Sequence, residues 1–334
     1  LDDAKKNGNG GNVAGMKAIV CRQYGSATIE ERDRPSVPDG AVLVRVRAGA
    51  LNAFDWFLAM GRPYFARLMA GGVRRPRVHV VGVEFAGTVE AVGGGVTDFQ
   101  PGDDVFGAAR ASLAEYVAVP IARISRKPSR VSFDEAAGVP TAGLTALQGL
   151  RKGGVARGQR VLINGASGGI GTFAVQLAKH FGAEVTGVCS GRNVELVRSI
   201  GADRVIDYTR EDFARERRYD LMLDIIGNRS WRDCGRALKP GGTFVMAGGD
   251  WHNRWIGPLG RLVSLRLAST LGGPRLVNYM TRCNTADLAF LAELMKRGTL
   301  NPAIDRRYAM TEALEALLHL GTGRARGKIV ITVP

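Results

Sequence analysis

The sequence predicts an α/β protein of two modules, one a compact β-rich unit and the other a parallel sheet wound with helices. Three observations carry this. Residues 17–119 fall into short β-branched runs (KAIVCRQYG, AVLVRVRAGALN, VVGVEFAGTVEAVGGG, AEYVAVP) separated by Gly, Pro and Asp, as expected of strands joined by tight turns. From about residue 160 to 283 strand-like and helix-like runs alternate, which reads as a parallel sheet with right-handed crossovers. At the head of that alternation the run INGASGGIG lies between a strand and a helix, the setting in which glycines cradle a dinucleotide.

Bulk properties narrow the class. The chain of 334 residues is long enough for two domains. Its net charge is +15, but the excess is mostly arginine scattered singly, with short groups such as Arg74-Arg75, Arg217-Arg218 and Arg306-Arg307. No run of five or six like charges occurs, so a solvated surface is expected rather than a nucleic-acid patch. The four cysteines, Cys21, Cys189, Cys234 and Cys283, are too dispersed for a metal knuckle or a disulfide framework, which fits a reducing cytoplasm. No apolar run reaches the ~18 residues that span a bilayer; the nearest candidate, residues 262–271, is broken by Arg266.

Taken in order, residues 1–15 are polar and glycine-rich without the apolar core of a secretory signal, and are set aside as a disordered lead. Met16 opens the first strand. Near Phe133 the character changes: FDEAAGVPTAGLTALQGL has helical spacing and should pack against the next unit. Then come the strand RVLINGA, the helix GTFAVQLAKHFG, the strand EVTGVCS, the helix NVELVRSIG and the strand RVIDY. The strands YDLMLDIIG and GTFVMAGG follow, separated by a helix through Arg236. Two helices, ADLAFLAELMKRG and MTEALEALLHLG, lead to a last strand, KIVITV, expected to rejoin the first module. The division expected is therefore residues 16–138 with 284–334 as one domain, and 139–283 as a nucleotide domain inserted between its parts.

In the glycine knot Ala166, Gly168 and Gly171 take the three positions of the dinucleotide fingerprint, with Ser167, Gly169 and Ile170 between them. Gly168 lets backbone approach a pyrophosphate, Gly171 lets helix and strand pack closely, and the helix N-terminus attracts anions. About 20 residues further on, an NAD site would place an acid on the ribose hydroxyls. Here Cys189-Ser190 stands there instead, followed by Gly191-Arg192-Asn193. A hydroxyl and a guanidinium attract a 2′-phosphate where a carboxylate would repel it, and Tyr208 can add a hydrogen bond. NADPH is the cofactor expected, held by Ser190, Arg192, Asn193 and Tyr208.

GVEFAGTVEAVG, GVPTAGLTAL and GASGGIG, in that family's order along the chain, resemble the medium-chain dehydrogenase/reductase superfamily. The likeness is to its zinc-independent quinone oxidoreductase branch, which includes enoyl reductases, and it covers nearly all of residues 16–334. It implies a GroES-like β-rich catalytic domain joined to a Rossmann doubly wound sheet, with the cofactor between them. Zinc-dependent members carry a Cys-x-x-Asp segment and a Gly-His-Glu segment. The corresponding stretches here read LNAFDW and GVEF, so Asn52 and Asp55 remain while Val83 stands at the histidine position. His79, His180, His252 and His319 are too scattered to replace it, and a catalytic zinc needs about three ligands. No metal is expected.

Without a Lewis acid, a quinone or an α,β-unsaturated carbonyl is a better hydride acceptor than a simple carbonyl, because charge spreads to a distant oxygen. The protein must then align the nicotinamide with the acceptor and stabilise an enolate. The resemblance places Asn52 and Thr141 beside the nicotinamide, and Tyr64 at the position of a tyrosine proton donor in some enoyl reductases; a packing tyrosine is an equal reading. Ala247-Gly248-Gly249 ends a strand at the carboxyl edge of the sheet, where ligands collect, and Asp224 ends its neighbour. Trp56, Phe57, Trp251 and Trp255 flank the cleft segments. In the family the loop of Arg324, Gly327 and Lys328 can reach the cofactor, and Lys328 is counted among its ligands.

The function expected is NADPH-dependent, zinc-independent reduction of a quinone or enone. One alternative is a pathway-specific enoyl or ketone reductase of a bulky intermediate. Another, from a different class, is a non-catalytic nucleotide- or RNA-binding protein. A homodimer is expected through edge pairing of the run RLVNYM.

Overall fold

The computed structural model describes residues 15–64, 67–68, 72–77, 80–215, 218–249, 258–270 and 273–334. Trp251, Trp255, His79 and His252, named above, lie outside the described residues.

Chain order builds three sheets. Strands β1 (Gly15–Val20) and β2 (Thr28–Asp33) form an antiparallel pair. Next come β3 (Ala41–Leu51), helix α1 (Ala53–Met60), β4 (Phe85–Val92), β5 (Asp104–Gly107), β6 (Tyr116–Pro120) and β7 (Ile124–Arg126). The helical stretch beginning at Phe133 is two helices, α2 (Phe133–Ala137) and α3 (Pro140–Gly153), with Pro140 at the first turn of α3, where its missing N–H costs nothing. The alternating part is β8 (Arg160–Asn164), α4 (Gly169–His180), β9 (Glu184–Cys189), α5 (Val194–Ser199), β10 (Arg204–Asp207) and β11 (Tyr219–Asp224). It continues with α6 (Trp231–Ala237), β12 (Leu238–Met246), α7 (Pro258–Ser269) and β13 (Arg275–Asn278). The tail contains α8 (Thr285–Lys296), β14 (Ile304–Ala309), α9 (Ala313–Gly321) and β15 (Lys328–Thr332).

The six parallel strands run β10-β9-β8-β11-β12-β13. This is the doubly wound order of a Rossmann sheet, in which the strand direction of winding reverses beside β8. The seven-stranded sheet runs β14-β15-β3-β4-β5-β7, with β6 also on β3. Strand β15 pairs antiparallel with β3, Ile329 opposite Leu51, so the tail closes onto the β-rich module.

Side chains sort themselves by strand alternation. Val161 and Ile163 of β8 pack with Leu147 and Leu150 of α3 and Phe173 and Leu177 of α4, while Leu162 faces the opposite core with Val188, Met222 and Phe244. The first of these cores also contains Ala48, Ala50 and Phe106 of the seven-stranded sheet. Helix α2 packs on β3, β4 and β15 of the seven-stranded sheet, and α3, directly after it, packs on β11 and β12 of the parallel sheet, so the two helices join the sheets.

Candidate active site

The phosphate turn is built by close packing. Strand β8 stops at Asn164, and Gly165 turns the chain with φ 92°, a left-handed conformation that side chains resist. A Cβ on Gly171 would lie 2.0 Å from the Gly165 carbonyl oxygen, so helix and turn touch backbone to backbone. The first residue of α4, Gly169, follows Gly168 as an extended N-cap without a side-chain cap hydrogen bond, leaving its amides for a ligand. Asn193 donates from Nδ2 to Ser167 Oγ at 2.9 Å, while its Oδ1 is buried with no hydrogen-bond partner. A buried amide with one end unpaired needs a further hydrogen-bonding group, which a ribose hydroxyl or phosphate can supply. The turn therefore fits a dinucleotide.

Beyond β9 the expected phosphate ligands gather on one edge. Arg192 donates from Nη2 to the Arg324 carbonyl at 3.1 Å, which carries the 322–327 loop over the turn. Tyr208 is exposed. One group escaped the sequence reading: Asp207, at the end of β10, whose partner in β9 is Cys189. Its carboxylate accepts from the Thr209 amide and hydroxyl at 3.0 and 2.8 Å. Those bonds, with Arg210 and the Gly191 amide adding, hold it below the usual carboxylate range. The second strand ends without an acid, but the third brings one alongside; only the pairing register could have shown it.

At the other end of the site, Asn52 caps α1. The Asp55 carboxylate accepts from the Asn52 amide at 2.8 Å, but Asn52's own side chain makes no cap bond. It points instead into a buried cluster: Asn52 Nδ2 donates to Glu84 Oε1 at 2.8 Å and Asn52 Oδ1 accepts from Lys328 Nζ at 2.7 Å. Lys328 Nζ also reaches Glu84 Oε1 at 2.7 Å and the Leu51 carbonyl at 3.0 Å. Glu84 Oε2 accepts from the Thr141 amide at 2.6 Å, at the N-terminus of α3, where the helix dipole favours an anion. The Thr141 hydroxyl has no protein partner among the described residues. Beneath Asn52, burial pushes the Asp55 carboxyl up to about 7, and the Glu84 charge adds to this.

Two expectations change here. Glu84, quoted above only for the histidine missing beside it, is the hub of the cluster. Lys328, expected on the cofactor, is 3% exposed and gives its three N–H donors to Leu51, Asn52 and Glu84; no donor is left for a phosphate.

The remaining expected residues fall as follows. Ala247, Gly248 and Gly249 follow the last residue of β12, with the Ala247 and Gly248 amides donating to the Asp224 carbonyl. The Asp224 carboxylate is buried and bound by Asn164 Nδ2 at 2.8 Å and Arg261 Nη2 at 2.7 Å, a structural tie at the crevice. Tyr64 is 37% exposed with Arg67 over its ring at 4.8 Å. Trp56 packs edge-to-face with Phe57, its indole nitrogen against Gly321 at the end of α9.

A phosphate-ready turn and a buried carboxamide cluster, joined through α3 and β15, define an oxidoreductase of the two-domain nicotinamide class. Residues 38–129 match the family model described as "Alcohol dehydrogenase GroES-like domain", and residues 200–331 the one described as "Zinc-binding dehydrogenase". The chain is 33% identical to a chloroplastic quinone-oxidoreductase of Triphysaria versicolor, covering 97% of this chain and 96% of that one. It is 34% identical to a trans-enoyl reductase of Aspergillus terreus, with 92% of each covered. Among solved structures, the quinone oxidoreductase of Coxiella burnetii superposes with a TM-score of 0.85 at 30% identity, over 96% of this chain and 100% of that one. The chain belongs to the medium-chain dehydrogenase/reductase superfamily.

The second family description implies zinc, and the donor set does not fit it. No group of three or more His, Cys, Asp or Glu able to hold a metal occurs among the described residues. The oxygens of Glu84 are held by Lys328, Asn52 and Thr141, and those of Asp55 by the Asn52 and Gly82 amides. No helix among the described residues is long and apolar enough to cross a membrane.

Proposed function

We propose that the protein is an NADPH-dependent reductase that delivers hydride, without a metal, to a quinone or an α,β-unsaturated carbonyl. The observation that carries this reading is the Asn52 cluster, where the Glu84 carboxylate is already paired with the Lys328 ammonium and hydrogen-bonded by the Asn52 carboxamide, so that it is not free to hold a metal. Relatives named for quinones and enoyl groups support the substrate class, as does a relative named an NADPH-dependent alkenal/one oxidoreductase.

Bound nicotinamide supplies the hydride. The Ser167 and Gly169 amides would receive the pyrophosphate, since the Gly168 amide is bound to the Gly165 carbonyl, and Asn193 Oδ1 would take a ribose hydroxyl. Asn52 and the Thr141 hydroxyl orient the carboxamide, and small residues at Ala247–Gly249 admit the ring. Ser190, Arg192 and Tyr208 hold the 2′-phosphate. Tyr64 is the candidate donor of the proton that completes enone reduction. Tyr64→Phe is expected to lower enone turnover by ~10²-fold or more, as removal of a general acid does, and a variant within a few fold of the unaltered protein would assign the proton to solvent.

The test is NADPH oxidation with a small quinone and a small enone in the presence of a chelator. Turnover is expected to be unaffected by the chelator, and turnover abolished by it and restored by zinc would overturn the reading. A second reading, NADH as cofactor, is favoured by Asp207, whose charge lies beside the loop assigned to the 2′-phosphate. The compartment proposed is a reducing one, on four free cysteines.

A further inference from the structure

We propose that Glu84 and Lys328 are a positioning pair for hydride transfer, holding Asn52 and the phosphate turn in one fixed relation; the proposal rests on the functional reading above. Neither residue has a polar atom to spare for substrate. Glu84 is fully buried and Lys328 nearly so. An asparagine amide has two nearly symmetric orientations, and here the choice is forced. Its oxygen meets the Lys328 ammonium at 2.7 Å and its nitrogen meets the Glu84 carboxylate at 2.8 Å. Reversal would set an N–H against an ammonium and a carbonyl against a carboxylate. One Nδ2 proton is bound by Glu84, and the other reaches only the Ala50 carbonyl at 3.5 Å, too long to hold it firmly. That proton, in a fixed direction, is left for the cofactor or the developing enolate.

The same lysine shapes the other end of the site. Its stem lies where a Cβ on Gly169 would meet Lys328 Cδ at 3.2 Å and one on Gly138 would meet Cγ at 3.2 Å. Its neighbour Gly327 donates its amide to the Ser167 carbonyl at 3.0 Å and forms a bridge with Gly168. Glu84 extends the tie to α3 through the Thr141 amide. Four segments distant in sequence thus meet on one ion pair. A shift of about 1 Å between a cofactor and the group that orients it costs up to ~10²-fold in rate.

The experiment compares Lys328→Met, which keeps the stem and loses the ammonium, with the double variant Glu84→Gln/Lys328→Met, which leaves no buried charge unpaired. For Lys328→Met, kcat should fall about 10–100-fold with the Kd for NADPH within about threefold of the unaltered protein. The primary isotope effect with 4-deuterated NADPH should rise. The double variant should recover melting temperature without recovering kcat, and it serves as the test if Lys328→Met does not fold. A Kd for NADPH that rises in step with the loss of turnover would make Lys328 a cofactor ligand and overturn the proposal. So would a double variant that regains kcat together with its stability, since the pair would then only support the fold. If the unaltered protein binds NADPH but reduces neither acceptor, the functional reading fails separately. The pair is then judged on the fluorescence of bound nicotinamide, whose loss in the double variant at unchanged Kd supports it and whose constancy overturns it.

Discussion

Arg192 and Asp207 set opposite charges on one short loop, and the balance between them decides which cofactor is preferred. Among the described residues Arg192 is anchored by one carbonyl contact, to Arg324, so its remaining donors can take a phosphate, whereas Asp207 is satisfied by Thr209 and the Gly191 amide. Charge-assisted hydrogen bonds contribute about 1.5–3 kcal/mol each. Arg192→Ala should therefore weaken NADPH about 10–100-fold and leave NADH nearly unchanged, measured by fluorescence titration of both; equal loss would remove the phosphate assignment. Asp55 makes a prediction about stability. Its folded pKa of about 7 lies above the ordinary carboxylate value near 3.9. Between roughly pH 4 and 7 the folded protein keeps a proton that the unfolded chain has lost, so this group's contribution is most favourable at the acid end and declines as pH rises. The slope is at most about 1.4 kcal/mol per pH unit. Urea titrations across that range should show it, and Asp55→Asn should flatten it. Arg192 and Asn193 were legible in the sequence because they follow the glycine turn at a fixed distance. Asp207 and Glu84 were not, since each acts through neighbours that only strand register or tertiary closure supplies.

At the scale of elements, the turn and the first crossover helix separate packing from binding. A Cβ on Gly171 would press 2.0 Å from the Gly165 carbonyl, while one on Gly168 would meet nothing nearer than 3.6 Å. Gly171→Ala should thus destabilise the fold by about 1–3 kcal/mol, the usual range for overpacking, read as a lower urea midpoint. Gly168→Ala should leave the midpoint nearly unchanged and raise the Kd for NADPH by crowding the pyrophosphate. Strand–turn–helix units of this kind are written locally, which is why β8, α4 and β9 could be placed from sequence. Helix α1 was not: the run LNAFDW drew attention for the ligand it lacks, and the Asp55 contact that caps it went unread. Strand β14 escaped as well, because Asp305, Arg306 and Arg307 mask the alternation of an edge strand, a device that also discourages stray pairing.

At the scale of the whole molecule, the outer edge of β13 is unpaired among the described residues. Val263 and Leu267 of α7 and Met280 just beyond the strand are 59%, 66% and 87% exposed. A second copy related by a two-fold axis would pair β13 with itself and cover these side chains. Sedimentation should give a dimer, and Leu267→Glu/Met280→Glu a monomer with an unchanged Kd for NADPH; a monomeric unaltered protein would refute the pairing. The overall plan was legible because each β–α unit carries its own signature, whereas the junction between modules was not, being assembled from residues with no local pattern in common. That junction has a consequence for biogenesis. The Lys328 ammonium and the Leu51 carbonyl are separated by 277 positions. At a synthesis rate of ~5–20 residues per second, the early strand waits roughly 15–55 s for its late partner. Through that interval β3 lacks the late strand that pairs with it, so a ribosome-held nascent chain halted before Lys328 should show its β-rich module open to protease, however complete its parallel sheet.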